Sequence, residues 1–179
     1  MNLKEKYQKE VVKEMKAQFG YKNNMAVPKI LKVVINVGIG KSKDDPKVAE
    51  VAESTLARIT GQKPIYTKAK KSISAFKVRQ GMKVGLKVTL RSKRMWDFLT
   101  KLVTIALPRV RDFRGLDPKN MDRHGNLNLG FKEHIVFPEI KSDEVEKIHG
   151  LEIAVITTAH TEPQGLALFR LLGFPFKED

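Results

Sequence analysis

Residues 82–91 alternate between apolar and polar side chains over their whole length. The apolar members are Val84, Leu86, Val88 and Leu90, and the positions between them are Lys83, Gly85, Lys87, Thr89 and Arg91. Because successive side chains of a β-strand point to opposite faces, this pattern predicts a strand with one apolar and one cationic face. We therefore expect a sheet that buries one face in a core and keeps a positively charged face outside it.

This strand lies within a strongly basic part of the chain. From Lys63 to Arg94 there are eleven Lys and Arg residues and no Asp or Glu, whereas residues 133–179 carry nine acidic and four basic residues. The formal net charge of +14 is thus localised. Cations that bind a phosphate backbone release its counterions, so this footprint favours a nucleic-acid partner. The alternative is a solvated strand face whose lysines discourage edge pairing.

Aromatic and amide side chains are interleaved with these cations. They are Gln62, Tyr66, Phe76 and Gln80. Such groups stack on bases or bond to their edges, which charge alone does not do. For Phe76, the pattern is equally compatible with an ordinary core residue. A second, weaker cationic cluster contains Arg109, Arg111 and Arg114, for which pairing with Asp112, Asp117 and Asp122 is the favoured alternative.

The remaining periodicities predict a mixture of helices and short strands. Apolar residues recur every four positions from Leu3 to Phe19, and further helices are predicted at 46–60, with Asp45 as the cap, and at 92–107, 143–148 and 163–172. Strands are predicted at 29–37, 131–137 and 151–159. A second strand or an extended arm at 72–79, turning at Gln80-Gly81, would form a long basic hairpin with 82–91. This order favours an α+β fold with antiparallel pairing, in a single domain over residues 1–179.

Several functional classes find no support in the sequence. Cysteine is absent, which removes thiol chemistry and suits a reducing cytoplasm. The four histidines lack metal-site spacing, and Gly38-Ile-Gly-Lys-Ser42 lacks the first glycine of a phosphate-binding loop, since that position is Ile35. No apolar run approaches a membrane span of about 20 residues. We therefore expect no enzymatic activity, metal, cofactor, membrane or small-molecule substrate.

Structured RNA is the partner that these patterns favour. Helix-turn-helix, zinc-finger and basic-zipper signatures are absent, which argues against sequence-specific DNA binding. Two alternatives from other classes remain open. A DNA- or chromatin-associated protein would prefer duplex DNA, and an RNA-modifying enzyme would require turnover and a defined pocket.

A series of motifs, in order along nearly the whole chain, resembles the bacterial-type ribosomal protein L5 family. The motifs are Gly61-Gln-Lys-Pro64, Thr67-Lys-Ala-Lys-Lys-Ser72, Phe76-Lys-Val-Arg-Gln-Gly81, Lys87-Val-Thr-Leu-Arg91, Arg94-Met-Trp96, Pro108-Arg-Val-Arg-Asp-Phe-Arg-Gly115, Phe137-Pro-Glu-Ile140 and Phe174-Pro-Phe176. The resemblance implies a structural protein that binds 5S rRNA in the central protuberance of the large ribosomal subunit, in the cytoplasm. It also implies a curved antiparallel sheet with helices on one face and RNA on the other.

The resemblance assigns roles to particular residues. It implies rRNA contacts at Asn36, Gln62, Lys63, Ser72, Thr89 and Arg91, to which the cationic pattern adds Lys32, Lys70, Lys71 and Lys87. It implies that a hairpin from Ser74 to Gly81 approaches the P-site tRNA, with Ser74, Phe76, Lys77, Arg79 and Gln80 as the contact residues. It places Arg109, Arg111 and Arg114 at an intersubunit bridge with a small-subunit head protein. Large-subunit rRNA and neighbouring large-subunit proteins are the other implied partners.

The chain departs from the family pattern at two places relevant to binding. The family often has proline near Lys83, whereas this chain reads Gly81-Met-Lys-Val-Gly85. The segment Asp122-Arg-His-Gly-Asn-Leu127 ends in leucine where many members have tyrosine. We therefore expect a less rigid hairpin and no aromatic contact from the second loop.

Overall fold

The computed structural model describes residues 2–40, 46–141 and 148–177. Across these ranges the fold is α+β, with an open five-stranded antiparallel sheet of order β2-β3-β1-β5-β4. The strands are β1 (Ile30–Gly38), β2 (Ile65–Lys68), β3 (Lys83–Leu90), β4 (Leu127–Phe131) and β5 (Leu151–Thr157). The predicted fold class is confirmed.

Helical segments precede, separate and follow these strands. They are α1 (Leu3–Lys6), α2 (Val12–Phe19), α3 (Pro46–Thr60), α4 (Ser92–Lys101) and α5 (Glu162–Leu172). A π-helical turn, Tyr7–Val11, joins α1 to α2, and α4 continues through the turns Leu102–Ala106 and Leu107–Arg109. Within the described ranges, no helix has the length and apolar character needed to cross a membrane. The predicted helix at 143–148, the Asp45 cap and Lys41–Ser42 lie outside the described residues.

The Cα positions divide the chain into two compact units. Unit 1 comprises Met1–Val33, Leu90–Leu129 and Ala154–Asp179. Unit 2 comprises Val34–Thr89 and Gly130–Ile153. The single-domain interpretation stays a prediction, and each unit is described by itself.

Helix packing dominates unit 1. Helix α1 contacts α4, and both α2 and the turn Tyr7–Val11 contact α5. The predicted four-residue spacing is confirmed, because Leu3, Val11 and Met15 are buried, and Gly20 ends the helix in the left-handed conformation at φ 70°. The Tyr7 hydroxyl donates to the Pro28 carbonyl at 3.0 Å. These contacts anchor the N-terminal segment.

A loop before β4 is fixed against β5 in unit 1. The Asp122 carboxylate accepts from the backbone of Asn126 at 2.8 Å and of His124 at 2.9 Å. Burial alone would raise the pKa of this carboxyl, but these hydrogen bonds hold it below its usual range. The Thr157 hydroxyl donates to the Gly125 carbonyl at 3.0 Å. The carboxylate of Asp122 therefore stabilises its own loop.

Two predicted strands are wrong in position. Segment 72–79 contains a 3-10 turn, Ser74–Phe76, and the partner of β3 is β2 instead. The strand predicted at 131–137 lies at Leu127–Phe131, where buried Leu127, Leu129 and Phe131 alternate with exposed residues, and His134–Val136 forms a 3-10 turn. A strict alternation in β1 would place Leu31 on the same face as the buried Val33, Ile35 and Val37. Leu31 is instead 46 % exposed, because the alternation of burial slips by one residue between Ile30 and Val33.

The substitution Gly165→Ala should destabilise the protein, although alanine favours helices. A Cβ at Gly165 would lie 2.5 Å from both the Cα and the carbonyl oxygen of Gly125, and backbone atoms do not rotate away. Overpacking should cost about 1–3 kcal/mol of unfolding free energy, more than the gain of about 1 kcal/mol in helix propensity. Urea denaturation measures the difference. Gly130→Ala is the control, since a Cβ there meets nothing within 4 Å. Equal midpoints for the two variants would contradict the packing argument.

Candidate nucleic-acid interface

The pairing of β2 with β3 determines which side chains share a face in unit 2. The strands are antiparallel, with Ile65 opposite Lys87 and Tyr66 opposite Leu86. Leu86 is fully buried, so Tyr66 lies on the core-facing side, whereas Ile65 is 65 % exposed on the side of Lys87. Val88 and Leu90 are buried, Lys87 is exposed and Thr89 is half-buried. The predicted apolar and polar faces of β3 are confirmed from Leu86 to Leu90.

A register shift changes this arrangement at the start of β3. Thr67 pairs with Gly85 and Lys68 with Lys83, so Val84 has no partner opposite it. One unpaired residue reverses the faces on either side of it. Lys83 therefore shares a side with Tyr66, and its Nζ lies 4.0 Å from the centre of the Tyr66 ring. The prediction that Lys83 and Lys87 share one cationic face is wrong for this reason.

The same shift brings Val84 to the polar side of the sheet. Val84 lines a cavity of about 1050 Å³ together with Asn36 and Phe76. Asn36 is half-buried on β1 between the buried Ile35 and Val37, and so lies on the opposite face from them. Val84, predicted on the apolar face, therefore supplies an apolar wall to this cavity. Phe76 is 70 % exposed, which excludes a role as an ordinary core residue of unit 2.

Gln62 and Lys63 lie where α3 ends. Gly61, at φ 65°, terminates the helix, and the Gln62 amide nitrogen donates to the Thr89 carbonyl at 3.3 Å. The backbone nitrogen of Gln62 also donates to the hydroxyl of Thr60 at 3.2 Å. The first of these bonds brings Gln62 next to Thr89, and both are predicted rRNA-binding residues. The Lys63 side chain is 85 % exposed, 3.9 Å from Glu53.

The loop between β2 and β3 is folded back on itself. The backbone groups of Ile73 and Val78 exchange hydrogen bonds of 2.8 and 3.1 Å, and the Gln80 nitrogen donates to the Ser72 hydroxyl at 2.9 Å. Lys77 adopts the left-handed conformation at φ 49°, which ends the short turn before it. The exposed residues of this loop include all its predicted contacts, which are Lys70, Lys71, Ser72, Ser74, Phe76, Lys77, Arg79 and Gln80.

The other predicted residues belong to unit 1. Lys32 is half-buried on β1, and Arg91 is exposed immediately after β3. Arg109, Arg111 and Arg114 are exposed on a segment that the C-terminal chain holds in place, since the Leu116 nitrogen donates to the Pro175 carbonyl at 2.7 Å and the Lys177 nitrogen donates to the Leu116 carbonyl at 2.9 Å. Asp117 accepts from the backbone nitrogen of Lys119 at 2.9 Å, and so caps its own turn.

The two histidines of unit 2 form a stacked pair. The His134 and His149 rings lie 4.0 Å apart and within 8° of parallel, and the backbone nitrogen of His149 donates to Nδ1 of His134 at 3.2 Å. Burial lowers the pKa of His134, and burial together with His134 lowers the pKa of His149 to about 4. Both rings are therefore uncharged at neutral pH and serve packing. Among the described residues, no group of three or more His, Asp or Glu side chains is arranged to hold a metal ion.

Sequence reasoning missed one residue of this region, Glu53. Its carboxylate accepts from the Tyr66 hydroxyl at 2.6 Å, although α3 and β2 are separate elements. This hydrogen bond and burial raise the pKa of Tyr66 to about 12. A tertiary contact of this kind has no signal in residue spacing.

Comparisons of the sequence with known proteins identify its family. Residues 23–79 match the family model of ribosomal protein L5, and residues 83–176 match the model of the C-terminus of the same ribosomal family. The chain is 52 % identical over 176 residues to large ribosomal subunit protein uL5 of Halothermothrix orenii, covering 98 % of each chain. It is 55 % identical over 176 residues to uL5 of Thermus thermophilus, covering 98 % of this chain and 97 % of the relative. The chain therefore belongs to the ribosomal protein L5 family.

Proposed function

We propose that this chain is a non-enzymatic, structural constituent of the large ribosomal subunit that binds 5S rRNA in the central protuberance. The observation that carries the proposal is the polar face of β3, where exposed Lys87 and half-buried Thr89 lie opposite a buried apolar face. The bond from Gln62 to Thr89 adds an amide group to this surface. Membership of the family supports the ribosomal assignment.

In unit 2 the rRNA contacts are assigned to both charged and neutral side chains. Exposed Lys63, Lys70, Lys71 and Lys87 would contact phosphates, because ammonium groups bind them as point charges. Asn36, Gln62, Ser72 and Thr89 would contact bases or sugars, since amides and hydroxyls both donate and accept. In unit 1, Arg91 is assigned to the same RNA on the resemblance to the family, and Lys32 on the cationic pattern.

We assign a second role, contact with P-site tRNA, to the β2–β3 loop. Its exposed Lys77 and Arg79 carry positive charge, and Phe76 presents a ring on which a base can stack. The internal hydrogen bonds of the loop hold it in a folded conformation. Arg109, Arg111 and Arg114 of unit 1 are assigned to an intersubunit bridge with a small-subunit head protein. Large-subunit rRNA and neighbouring large-subunit proteins complete the set of partners.

Binding to 5S rRNA should depend strongly on salt. If six to eight cations reach phosphates, the slope of log K against log salt should be roughly −4 to −7. Titration of labelled 5S rRNA between 50 and 300 mM salt (roughly the range over which such contacts weaken) measures the slope. A tRNA and a DNA duplex of equal length are the controls. Tighter binding to the duplex, or a slope shallower than about −2, would contradict the proposal.

Substitutions in β3 should separate RNA binding from stability. Thr89→Ala and Arg91→Ala should each weaken 5S rRNA binding by about 1–3 kcal/mol while the fold is retained. Leu90→Ala, between them, removes a fully buried side chain and should cost about 2–5 kcal/mol of unfolding free energy. RNA titrations and urea denaturation of all three variants measure both effects. Unchanged RNA affinity in both polar variants would overturn the assigned face.

Removal of the loop should affect tRNA rather than 5S rRNA. Replacement of residues 75–82 by a short glycine linker removes Phe76, Lys77 and Arg79, and leaves β2 and most of β3 in place. We expect most 5S rRNA affinity to remain, and ribosomes carrying this variant to retain P-site tRNA less well. Filter binding on both ligands measures the two effects. Loss of 5S rRNA binding with normal tRNA retention would place the loop in the rRNA interface.

A further inference from the structure

An acidic side chain from α3 lies against the acid-free stretch. Glu53 accepts from the Tyr66 hydroxyl at 2.6 Å, and its second oxygen lies 3.9 Å from the ammonium nitrogen of Lys63. The pair with Lys63 is weak, because the Lys63 side chain is 85 % exposed and screened by solvent. The bond to Tyr66 is short and charge-assisted, so it fixes the tyrosine ring more firmly.

The Tyr66 ring in turn holds a lysine. The register shift brings Lys83 opposite Lys68 on the side of Tyr66, and the Lys83 ammonium lies 4.0 Å from the ring centre. A cation over an aromatic face is attracted by the ring quadrupole. Unlike a carboxylate partner, the ring does not cancel the charge of the ammonium. Lys83 thus remains able to donate hydrogen bonds to an anion while its position is restricted.

The surface beside this network is concave. Glu53, Gln62 and Lys63 line a cavity of about 580 Å³ at the end of α3. Gln62 also bonds to the backbone of Thr89, so the cavity lies close to β3. The phenol of Tyr66 is uncharged at neutral pH and therefore does not repel a phosphate.

We propose that Tyr66 is a positioning residue for RNA binding: Glu53 fixes its ring, and the ring holds the Lys83 ammonium where a phosphate of the bound RNA is contacted. This inference rests on the proposed function, because the phosphate belongs to the 5S rRNA. It assigns a role to Lys83 that differs from that of Lys87 on the opposite face. Lys83 acts from the N-terminal end of β3 and reaches its bound position only through Tyr66.

A double-mutant cycle on 5S rRNA tests the proposal. Lys83→Ala should make the salt slope shallower by about one, as expected for one lost phosphate contact. Tyr66→Leu should weaken binding about two- to fivefold, the scale of an exposed cation–π contact. In the Lys83→Ala background, Tyr66→Leu should have no further effect. Tyr66→Phe keeps the ring but loses the bond to Glu53, so its affinity should lie between those of the wild-type protein and Tyr66→Leu.

Lys13→Ala provides the matched control, since Lys13 is exposed on α2 and outside every proposed contact. It should leave the slope unchanged. Nuclear magnetic resonance of the free protein gives a measure that does not depend on RNA. The side-chain protons of Lys83 next to Nζ should be shifted upfield by the Tyr66 ring, and this shift should vanish in Tyr66→Leu and persist in Tyr66→Phe.

The outcomes distinguish the proposed binding of 5S rRNA from the positioning role of Tyr66. If the wild-type protein fails to bind 5S rRNA, both are overturned. If it binds with the expected slope but Tyr66→Leu weakens binding equally with and without Lys83, only the positioning role is overturned. An unchanged slope in Lys83→Ala, or no upfield shift of Lys83 in the wild-type protein, also overturns the positioning role alone.

Discussion

The pairing of β2 with β3 is the constraint on which the charged surface of unit 2 depends. Tyr66 opposite Leu86 fixes the core-facing side, and the single unpaired residue Val84 reverses the sides beyond it. With an unbroken register, Lys83 and Lys87 would lie on one face, because side chains alternate with a period of two. The shift instead distributes these lysines over two sides and moves the apolar Val84 into the cavity beside Asn36. A local change in backbone pairing thus determines which cations act together.

The sequence predicts those elements whose two faces differ strongly in polarity. Strand β3 from Leu86 to Leu90 and the N-terminal helix with Leu3, Val11 and Met15 are examples, because burial alone selects their orientation. The direction of Lys83 was not predictable in this way. A register shift depends on the partner strand as well as on the strand itself. The contact between Glu53 and Tyr66 is likewise tertiary, and the spacing of residues within α3 or β2 does not predict it.

The misplaced strands have a related physical cause. Ile135 and Val136 favour strands by intrinsic propensity, yet they lie half-buried in a 3-10 turn. The alternating Leu127, Leu129 and Phe131 are instead buried in β4. Burial of one apolar face outweighed local propensity. In segment 72–79 the largest apolar side chain, Phe76, is 70 % exposed. The apolar residues there do not stabilise a strand, and the segment closes through its own backbone bonds.

An acid-free stretch of sequence is therefore not the same as a uniformly positive surface. Glu53 enters the basic region from α3, where Tyr66 and Lys63 both face its carboxylate. The neutral phenol lets this carboxylate remain beside the lysines while the aromatic ring holds Lys83. The number of phosphates that the protein contacts is consequently set by which side chains share a surface, and not by the eleven Lys and Arg residues counted in the sequence. Composition predicts the binding region, and strand register determines which side of the sheet its charges face.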